Sequence, residues 1–203
     1  MDDFVIKDLG LCDYNKALLN QKNTKTDLVN NLGKDTLFLL EHNHTYTLGK
    51  NANPSNILNK NCKLFQTDRG GDVTYHGPGQ LVGYPIIHLK KMGLGIKSYV
   101  SKIEILLIRI LNDYDIVAST REGLTGVWVN DRKIASIGIR VSQWVTTHGF
   151  SLNINTDMSY FSNIISCGID NISMTSMEQE LGRKISMDDI KQSTIVHFNQ
   201  LFK

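Results

Sequence analysis

The stretch that most constrains this chain is a glycine-rich segment, residues 69–80, which runs RGGDVTYHGPGQ. Four of the 16 glycines lie in it, at positions 70, 71, 77 and 79. Glycine is needed where φ is positive or where the backbone approaches another group closely, and proline fixes φ, so Gly77-Pro78-Gly79 predicts a rigid turn. Two ordinary turns joined by a short strand would also fit. The arginine, threonine, tyrosine, histidine and glutamine among the glycines favour a binding loop.

Composition and charge are those of an ordinary globular protein. With 203 residues the chain is expected to form one domain, residues 1–203, that buries a core without disulfides. The formal net charge of +2 gives no argument for nucleic-acid binding, and no apolar run approaches the roughly 20 residues that cross a bilayer. Three cysteines without regular spacing argue against a disulfide framework, and the acidic N-terminus resembles no targeting segment. We therefore expect a cytoplasmic protein.

Hydrophobic periodicity predicts both strands and helices. The clearest helix follows Ser98, its expected N-cap, and a last helix follows Ser186. Residues 127–141 predict a β-hairpin. Residues 80–89 predict a strand in which Pro85 indicates an edge or a bulge. Strands that follow one another with helices at intervals predict an α+β fold, with a mixed, largely antiparallel sheet flanked by helices.

Lys133 begins a predicted strand, residues 133–141, whose alternate positions are Lys, Ala, Ile, Ile and Val. Because strand side chains alternate between faces, Lys133 is expected to share the apolar face with Ala135 and Ile137. Its ammonium group must then either snorkel to the strand end or face a pocket. The residues alone favour snorkelling, because charged groups are rarely buried.

The three cysteines, Cys12, Cys62 and Cys167, are barely distinguished by the sequence. A cysteine is more often a small inert residue than a nucleophile. Cys167 is followed by Gly168, which would leave room for a substrate carbonyl.

No metal site is expected, and the common nucleotide-binding motifs are absent from the sequence. His42 and His44 are spaced to share one strand face, but no Cys, Asp or Glu at ligand spacing completes a metal site. The sequence has no Walker-type loop, no glycine loop that joins a strand to a helix as a dinucleotide site requires, and no G-x-S-x-G.

The glycine segment carries a longer pattern, formed by Arg69-Gly70-Gly71, Thr74-Tyr75-His76, Gly79-Gln80 and Tyr84. This pattern resembles the signature of the lipoyl(octanoyl) transferases, the octanoyl-acyl-carrier-protein:protein octanoyltransferases of lipoate synthesis. The resemblance continues through residues 126–141, His148-Gly149 and Cys167-Gly168-Ile169, and covers most of the chain from about residue 37 onward. It implies the α+β fold shared with lipoate-protein ligase A and the catalytic domains of biotin protein ligases.

The same resemblance implies the site residues. It makes Cys167 the acyl-accepting nucleophile, although Ser166 stands where family members commonly carry proline, and it favours an active-site role for Lys133. The implied substrate-binding residues are Arg69, Gly70, Gly71, Asp72, Val73, Thr74, Tyr75, His76, Ser136, Ile137, Gly138, His148, Gly149, Phe150 and Ser151.

The implied activity is ping-pong acyl transfer. Octanoyl-acyl carrier protein donates its acyl group to Cys167, and a lysine of a lipoyl domain then accepts it. The implied acceptors are the E2 subunits of 2-oxoacid dehydrogenases and the H protein of glycine cleavage. Because a thioester is already activated, no cofactor is expected, and neither is a nucleic acid or a membrane partner. Two alternatives remain open: an ATP-dependent lipoate- or biotin-type protein ligase, and a non-catalytic module that binds an acyl group or its carrier.

Overall fold

The structure is a computed structural model that describes residues 4–59, 62–166 and 172–203. In chain order the elements are β1 (Val5–Cys12), α1 (Tyr14–Val29), β2 (Thr36–His42), β3 (Thr45–Leu48), β4 (Leu64–Gln66), β5 (Val73–His76), β6 (Gln80–Ile86), α2 (Ile96–Asn112), β7 (Ser119–Arg121), β8 (Leu124–Val129), β9 (Arg132–Ser142), β10 (Val145–Asn153), β11 (Ser173–Met174), α3 (Met177–Leu181) and α4 (Met187–Phe202). Short 3-10 helices lie at Pro54–Asn56 and Met158–Asn163.

The strands form two sheets. The larger has the order β1-β2-β6-β10-β9-β8-β7, and β11 pairs with β9. Its neighbours are antiparallel, except that β1 runs parallel to β2 and β11 parallel to β9. The smaller sheet has the order β4-β3-β5. The predicted α+β fold with a mixed, largely antiparallel sheet is confirmed.

Helices cover both faces of the large sheet. On one face, α2 and α4 pack over the main core, to which β2 contributes Leu37 and Leu39. On the other face, α1 packs over a second cluster that contains Phe38 and Leu40 of the same strand. Because both faces of β2 are buried, its sequence is a continuous apolar run rather than an alternating one. Within the described residues, no helix has the length and apolar character needed to cross a membrane.

Pro85 lies in an interior strand, so the predicted edge or bulge is wrong. Opposite it, the ladder between β6 and β10 is interrupted, and the register is the same on both sides of the gap. The hydroxyl of Thr146 spans the gap by donating to Pro85 O (2.6 Å) and accepting from Ile87 N (2.9 Å). His148, opposite Pro85 in this register, has φ +59° and donates its N–H to Gln21 Oε1 (2.7 Å) instead. Because proline has no N–H, the backbone of β10 at His148 is not held in the ladder opposite Pro85.

Side-chain caps begin two of the long helices. Asp13 caps α1, and Ser186 caps α4 as predicted. The prediction for α2 is wrong, because the N-cap is Gly95, which makes no side-chain hydrogen bond, and Ser98 lies inside the helix. The helix starts three residues earlier than predicted, and in its first turn Tyr99 donates its N–H to Gly95 O (3.0 Å). Glycine is also accepted at the N-cap position.

Ser186→Ala should lower the free energy of unfolding by about 1 kcal/mol, because it removes the acceptor of the first-turn N–H of α4. Urea denaturation monitored by circular dichroism measures the change. The matched control is Ser98→Ala in α2, where an exposed serine caps nothing, and it should change the free energy by less than about 0.5 kcal/mol. Equal losses in the two variants would contradict this account of the helix starts.

Candidate active site

A cavity of about 190 Å³ opens where the two sheets meet. Its walls are formed by Tyr14, Arg69, Gly70, Gly71, Asp72, Thr74, His76, Tyr84, Gly123, Leu124, Thr125, Lys133, Ser136, Ile137, Gly138, His148, Gly149, Phe150 and Ser151. The glycine segment, the β8–β9 hairpin and β10 therefore converge on one site, although they are far apart in the sequence.

Most of the predicted site residues meet at this cavity. Lys133 and the predicted binding residues line it, except Val73 and Tyr75, which are buried with Tyr46 in the core of the small sheet. Cys167 lies outside the described residues. The roles of all these residues toward substrate stay predictions.

Sequence reasoning left several cavity residues out of the predicted site. Tyr14 comes from the first turn of α1, and Leu124 and Thr125 come from β8, next to Gly123. Tyr84 belonged to the family pattern but was given no role. The pattern could have indicated Tyr84, whereas no local signal marks the others, because only the folded chain brings them to the cavity.

Arg69 joins the glycine loop to both sheets. Its Nη2 donates to Thr47 O (2.6 Å) and Thr47 Oγ1 (2.9 Å) on β3 of the small sheet. The next residue, Gly70, donates its N–H to Ile139 O (2.9 Å) on β9 of the large sheet. A Cβ at Gly138 would lie 3.1 Å from Arg69 Cδ and from Gly70 O, so glycine there lets the loop lie against the strand.

The second half of the loop is also held in place. Gly71 has φ +85°, a backbone conformation that residues with a Cβ rarely adopt. This explains why the second residue of the Gly70-Gly71 pair is glycine. Asp72 Oδ2 accepts from Asn56 Nδ2 (2.7 Å), and its Oδ1 accepts from Val73 N (2.5 Å). Asp72 therefore connects the loop to the segment that contains Asn56.

His42 and Tyr84 form a buried pair beside the cavity. His42 Nδ1 lies 2.8 Å from Cys12 O and must donate to it, so Nε2 accepts from the Tyr84 hydroxyl (2.8 Å). Burial lowers the pKa of His42 to about 4, so the ring is neutral near pH 7.

Among the described residues, no group of three or more His, Cys, Asp and Glu side chains is arranged to hold a metal ion.

His76 has a defined tautomer as well. Gln80 Nε2 donates to two oxygens, so its Oε1 accepts from His76 Nδ1 (2.7 Å). Burial and the nearby His42 ring lower the pKa of His76 to about 3. The neutral ring therefore offers the lone pair of Nε2, which can accept a hydrogen bond but is a very weak base.

His148 and Asp68 form a hydrogen-bonded pair at the edge of the cavity. His148 Nε2 lies 2.7 Å from Asp68 Oδ1, and Arg140 Nη1 lies 2.6 Å from Asp68 Oδ2. Burial lowers the pKa of His148. Burial alone would raise the pKa of Asp68. The hydrogen bond from His148 and the charge of Arg140 outweigh that effect and hold the pKa of Asp68 below its usual value. Neutral His148 therefore donates from Nε2 to an ionised Asp68.

A β-bulge decides which face of β9 carries Lys133. Val127 pairs with Ala135, but Trp128 pairs with Lys133, so Ile134 is an additional residue on β9. Since Val127 and Trp128 point to opposite faces of β8, Lys133 and Ala135 also point to opposite faces. The expected shared face is therefore wrong, because alternation was counted across a bulge that the sequence does not reveal.

Lys133 is buried against β8. Only 3% of its surface is exposed, so snorkelling into water does not describe it. Its Nζ donates to Thr125 O (3.0 Å) and lies 5.4 Å from the centroid of the Trp128 ring, a cation–π distance. A Cβ at Gly126 would lie 2.6 Å from Lys133 Cε, so this glycine leaves the space that the lysine fills.

Sequence comparisons identify the family. The lipoyl protein ligase A/B catalytic domain model matches residues 13–199. An octanoyltransferase of Solibacter usitatus is 43% identical over 209 residues, covering 100% of this chain and 94% of that protein. An octanoyltransferase of Cytophaga hutchinsonii is 40% identical and covers 98% of this chain and 92% of that protein. The chain belongs to the lipoyl protein ligase A/B catalytic domain family. Like the relatives named octanoyltransferase, it is an acyltransferase.

Solved structures confirm the fold predicted from the resemblance. Lipoate-protein ligase A bound with ATP matches with a TM-score of 0.73 and 12% identity, covering 98% of this chain and 85% of that chain. A bipartite lipoate protein ligase of Thermoplasma acidophilum, solved in a study of the ligase and its E2 lipoyl domain, matches with a TM-score of 0.67 and 14% identity. The match covers 98% of this chain and 84% of that chain. Biotin protein ligase from Aquifex aeolicus with biotin and ATP matches with a TM-score of 0.59 and 10% identity, covering 98% of this chain and 70% of that chain. At these identities the likeness concerns the fold alone.

Acidification from pH 7 to pH 5 should destabilise the protein through His42 and His76. An unfolded histidine has a pKa near 6.5, whereas these rings have pKa values of about 4 and about 3 in the fold. The unfolded chain therefore binds protons that the folded chain does not, and the free energy of unfolding falls as the pH drops below about 6.5. The loss should be about 2 kcal/mol for each histidine, measured by urea denaturation at both pH values.

The matched variant is His76→Asn, whose amide can donate to Gln80 in place of Nδ1 but does not titrate. It should lose roughly half of the pH dependence that the two rings contribute. An unchanged pH dependence in this variant would show that His76 is not held neutral in the fold.

Proposed function

We propose that the chain, as one catalytic domain over residues 1–203 acting in the cytoplasm, transfers octanoyl groups from acyl carrier protein to lysines of lipoyl domains. A thioester on Cys167 is the intermediate. The observation that carries the proposal is the cavity that joins the glycine loop to buried Lys133. The family and the names of the relatives support octanoyl as the acyl group.

The described residues on either side of Cys167 lie near this cavity. On one side, Ile165 donates its N–H to Asn56 O (2.8 Å), and Asn56 is hydrogen-bonded to Asp72 of the cavity wall. On the other side, Met174 of β11 pairs with Lys133 itself. Both anchors tie the ends of the Cys167 segment to residues that line the cavity, which supports a thiol within reach of Lys133.

The other two cysteines are poorly placed for this role. Cys12 is buried below α1, and burial raises the pKa of its thiol, so little thiolate forms. Cys62 packs against the core of the small sheet. Neither thiol lines the cavity. Cys167 is thus the nucleophile that the proposal requires.

The reaction has two balanced steps. The Cys167 thiolate attacks the carbonyl carbon of the donor thioester, and the carrier leaves as a thiolate that takes up a proton. The neutral ε-amine of the acceptor lysine then attacks the acyl-enzyme carbonyl. Cys167 leaves as a thiolate, and the amine loses one proton as the amide forms. No nucleotide enters, because both carbonyls are already activated as thioesters.

Lys133 would serve both steps. A free thiol has a pKa near 8.5 and is only slightly ionised at neutral pH, and an adjacent ammonium favours its thiolate. As a neutral amine, the same group can accept the proton that the acceptor lysine releases. Backbone N–H groups of the glycine loop and of residues 136–138 would bind the substrate carbonyl and the end of its carrier arm.

The proposed acceptors are the lipoyl domains of 2-oxoacid dehydrogenase E2 subunits and the glycine cleavage H protein. The archaeal ligase that shares this fold was studied together with its E2 lipoyl domain, which supports a lipoyl domain as the acceptor. The donor, octanoyl-acyl carrier protein, follows from the thioester chemistry proposed for Cys167.

The deciding experiment gives the purified chain octanoyl-acyl carrier protein and an unmodified lipoyl domain, without ATP or magnesium. Intact-mass spectrometry should show an octanoyl adduct on the enzyme and then octanoylated lipoyl domain. Free octanoate with ATP and magnesium should give little product. Product only from the free acid and ATP would establish a ligase, and neither adduct nor product in any arm would leave a non-catalytic binding module.

The cysteine variants belong to the same assay. Cys167→Ala should abolish both the adduct and the transfer, while Cys12→Ala and Cys62→Ala retain them. An octanoyl adduct that persists on the Cys167→Ala protein would remove Cys167 from the mechanism.

Lys133→Ala should lower the rate of transfer by roughly 10²–10⁴-fold, the usual effect of losing an acid–base group. Lys133→Arg should not restore the rate, because a guanidinium does not release its proton at working pH. Lys97→Ala, at an exposed position of α2, is the control and should leave the rate unchanged. Near-normal turnover of Lys133→Ala would show that the lysine only fills space.

A further inference from the structure

One peptide unit beside the cavity makes hydrogen bonds in both directions. Its carbonyl, Thr125 O, accepts from Lys133 Nζ at 3.0 Å. Its amide, Gly126 N–H, donates to Glu104 Oε1 at 3.2 Å. Glu104 lies on α2, so a helix carboxylate and the buried lysine are joined through a single peptide group of β8.

Gly126 gives this peptide an unusual conformation. Its φ is +131°, and a Cβ there would lie 2.6 Å from both Lys133 Cε and Ala135 O. Glycine is required for the close approach of lysine to backbone, but it also leaves the peptide freer to rotate than any other residue would. A partner on the N–H side is needed to keep the carbonyl directed at Lys133, and Glu104 is that partner.

The carboxylate also strengthens the contact that it orients. The negative charge of the Glu104 carboxylate, which accepts from the Gly126 N–H, polarises the peptide. The Thr125 carbonyl therefore becomes a better acceptor for the ammonium group. Nζ lies at Thr125 O and beside the Trp128 ring, so this peptide carbonyl contributes to the placing of the ammonium group in the cavity wall.

We propose that Glu104 is a positioning residue, which holds Lys133 in its working position through the Thr125–Gly126 peptide. Glu104 does not line the cavity, so it acts on the reaction only through this peptide. The inference rests on the proposed role of Lys133 in acyl transfer.

The test is a double-mutant cycle with Glu104→Ala, Lys133→Ala and the double variant, in the transfer assay with octanoyl-acyl carrier protein and lipoyl domain. Glu104→Ala should lower kcat roughly 10-fold, with KM for the lipoyl domain within about 2-fold of the wild type. In the Lys133→Ala background, the same substitution should change kcat by less than about 2-fold, because the group it positions is absent. Single-turnover mass spectrometry keeps the slow variants measurable.

Two further variants serve as controls for the cycle. Glu104→Gln keeps an acceptor for the Gly126 N–H and should recover most of the lost rate. Glu122→Ala removes an exposed carboxylate two residues before β8 and should have no effect. Thermal unfolding checks that the variants are folded. If the Glu104→Ala protein is unfolded, Glu104→Ser replaces it, because serine is too short to reach the amide.

The outcomes separate this inference from the proposed function. If Lys133→Ala is slow but Glu104→Ala costs the same factor in both backgrounds, Glu104 is merely structural and only this inference falls. A wild-type rate for Glu104→Ala, or a glutamine variant as slow as the alanine variant, also overturns it. If Lys133→Ala itself turns over normally, the proposed role of the lysine fails, and this inference fails with it.

Discussion

The site depends on one buried guanidinium. Arg69 is only 8% exposed, and a cation removed from water is costly unless polar groups replace its hydration. Thr47 supplies its carbonyl and hydroxyl from the small sheet, and Gly70 O accepts from Nη1 at 2.9 Å. Because Gly70 N is also bonded to Ile139 on the large sheet, satisfying the arginine brings the two sheets together. The cavity is the space left at that junction, and glycine at 138 allows the approach.

The cavity also exists because regular β-structure fails beside it in two places. A proline in β6 removes a ladder donor, and His148 opposite it adopts positive φ and turns its N–H to Gln21. On β9, the additional residue Ile134 reverses the face on which Lys133 lies. Each irregularity directs toward the cavity a side chain that a regular ladder would have directed into the main core. Such departures are tolerated where the neighbouring packing is strong enough to impose them.

The sequence predicted those parts of the fold and site that depend on local or motif-level signals. The glycine loop, the β-hairpin and the start of α4 at Ser186 follow from turn and capping chemistry, and the family pattern placed Lys133 at the site. It could not predict the face of Lys133, because a bulge depends on pairing between two strands. Nor could it predict Tyr14 in the cavity wall, since that is decided by packing between distant segments. The start of α2 was misplaced because Ser98 is the better N-cap by residue type, whereas the helix begins after Gly95.

The histidines of the cavity wall are poorly suited to the proton transfer that we propose for Lys133. A ring with a pKa of about 3, as in His76, would take a proton from a thiol of pKa near 8.5 at a cost of roughly 7 kcal/mol. Neutral His148 already donates its Nε2 proton to Asp68. Arg69 is buried among oxygen acceptors and stays protonated at any working pH. Among the described residues of the wall, Lys133 is therefore the basic group to which we assign the proposed proton transfer. Its Nζ lies 3.0 Å from Thr125 O and 5.4 Å from the centroid of the Trp128 ring, which fixes the point from which the proposed transfer would start.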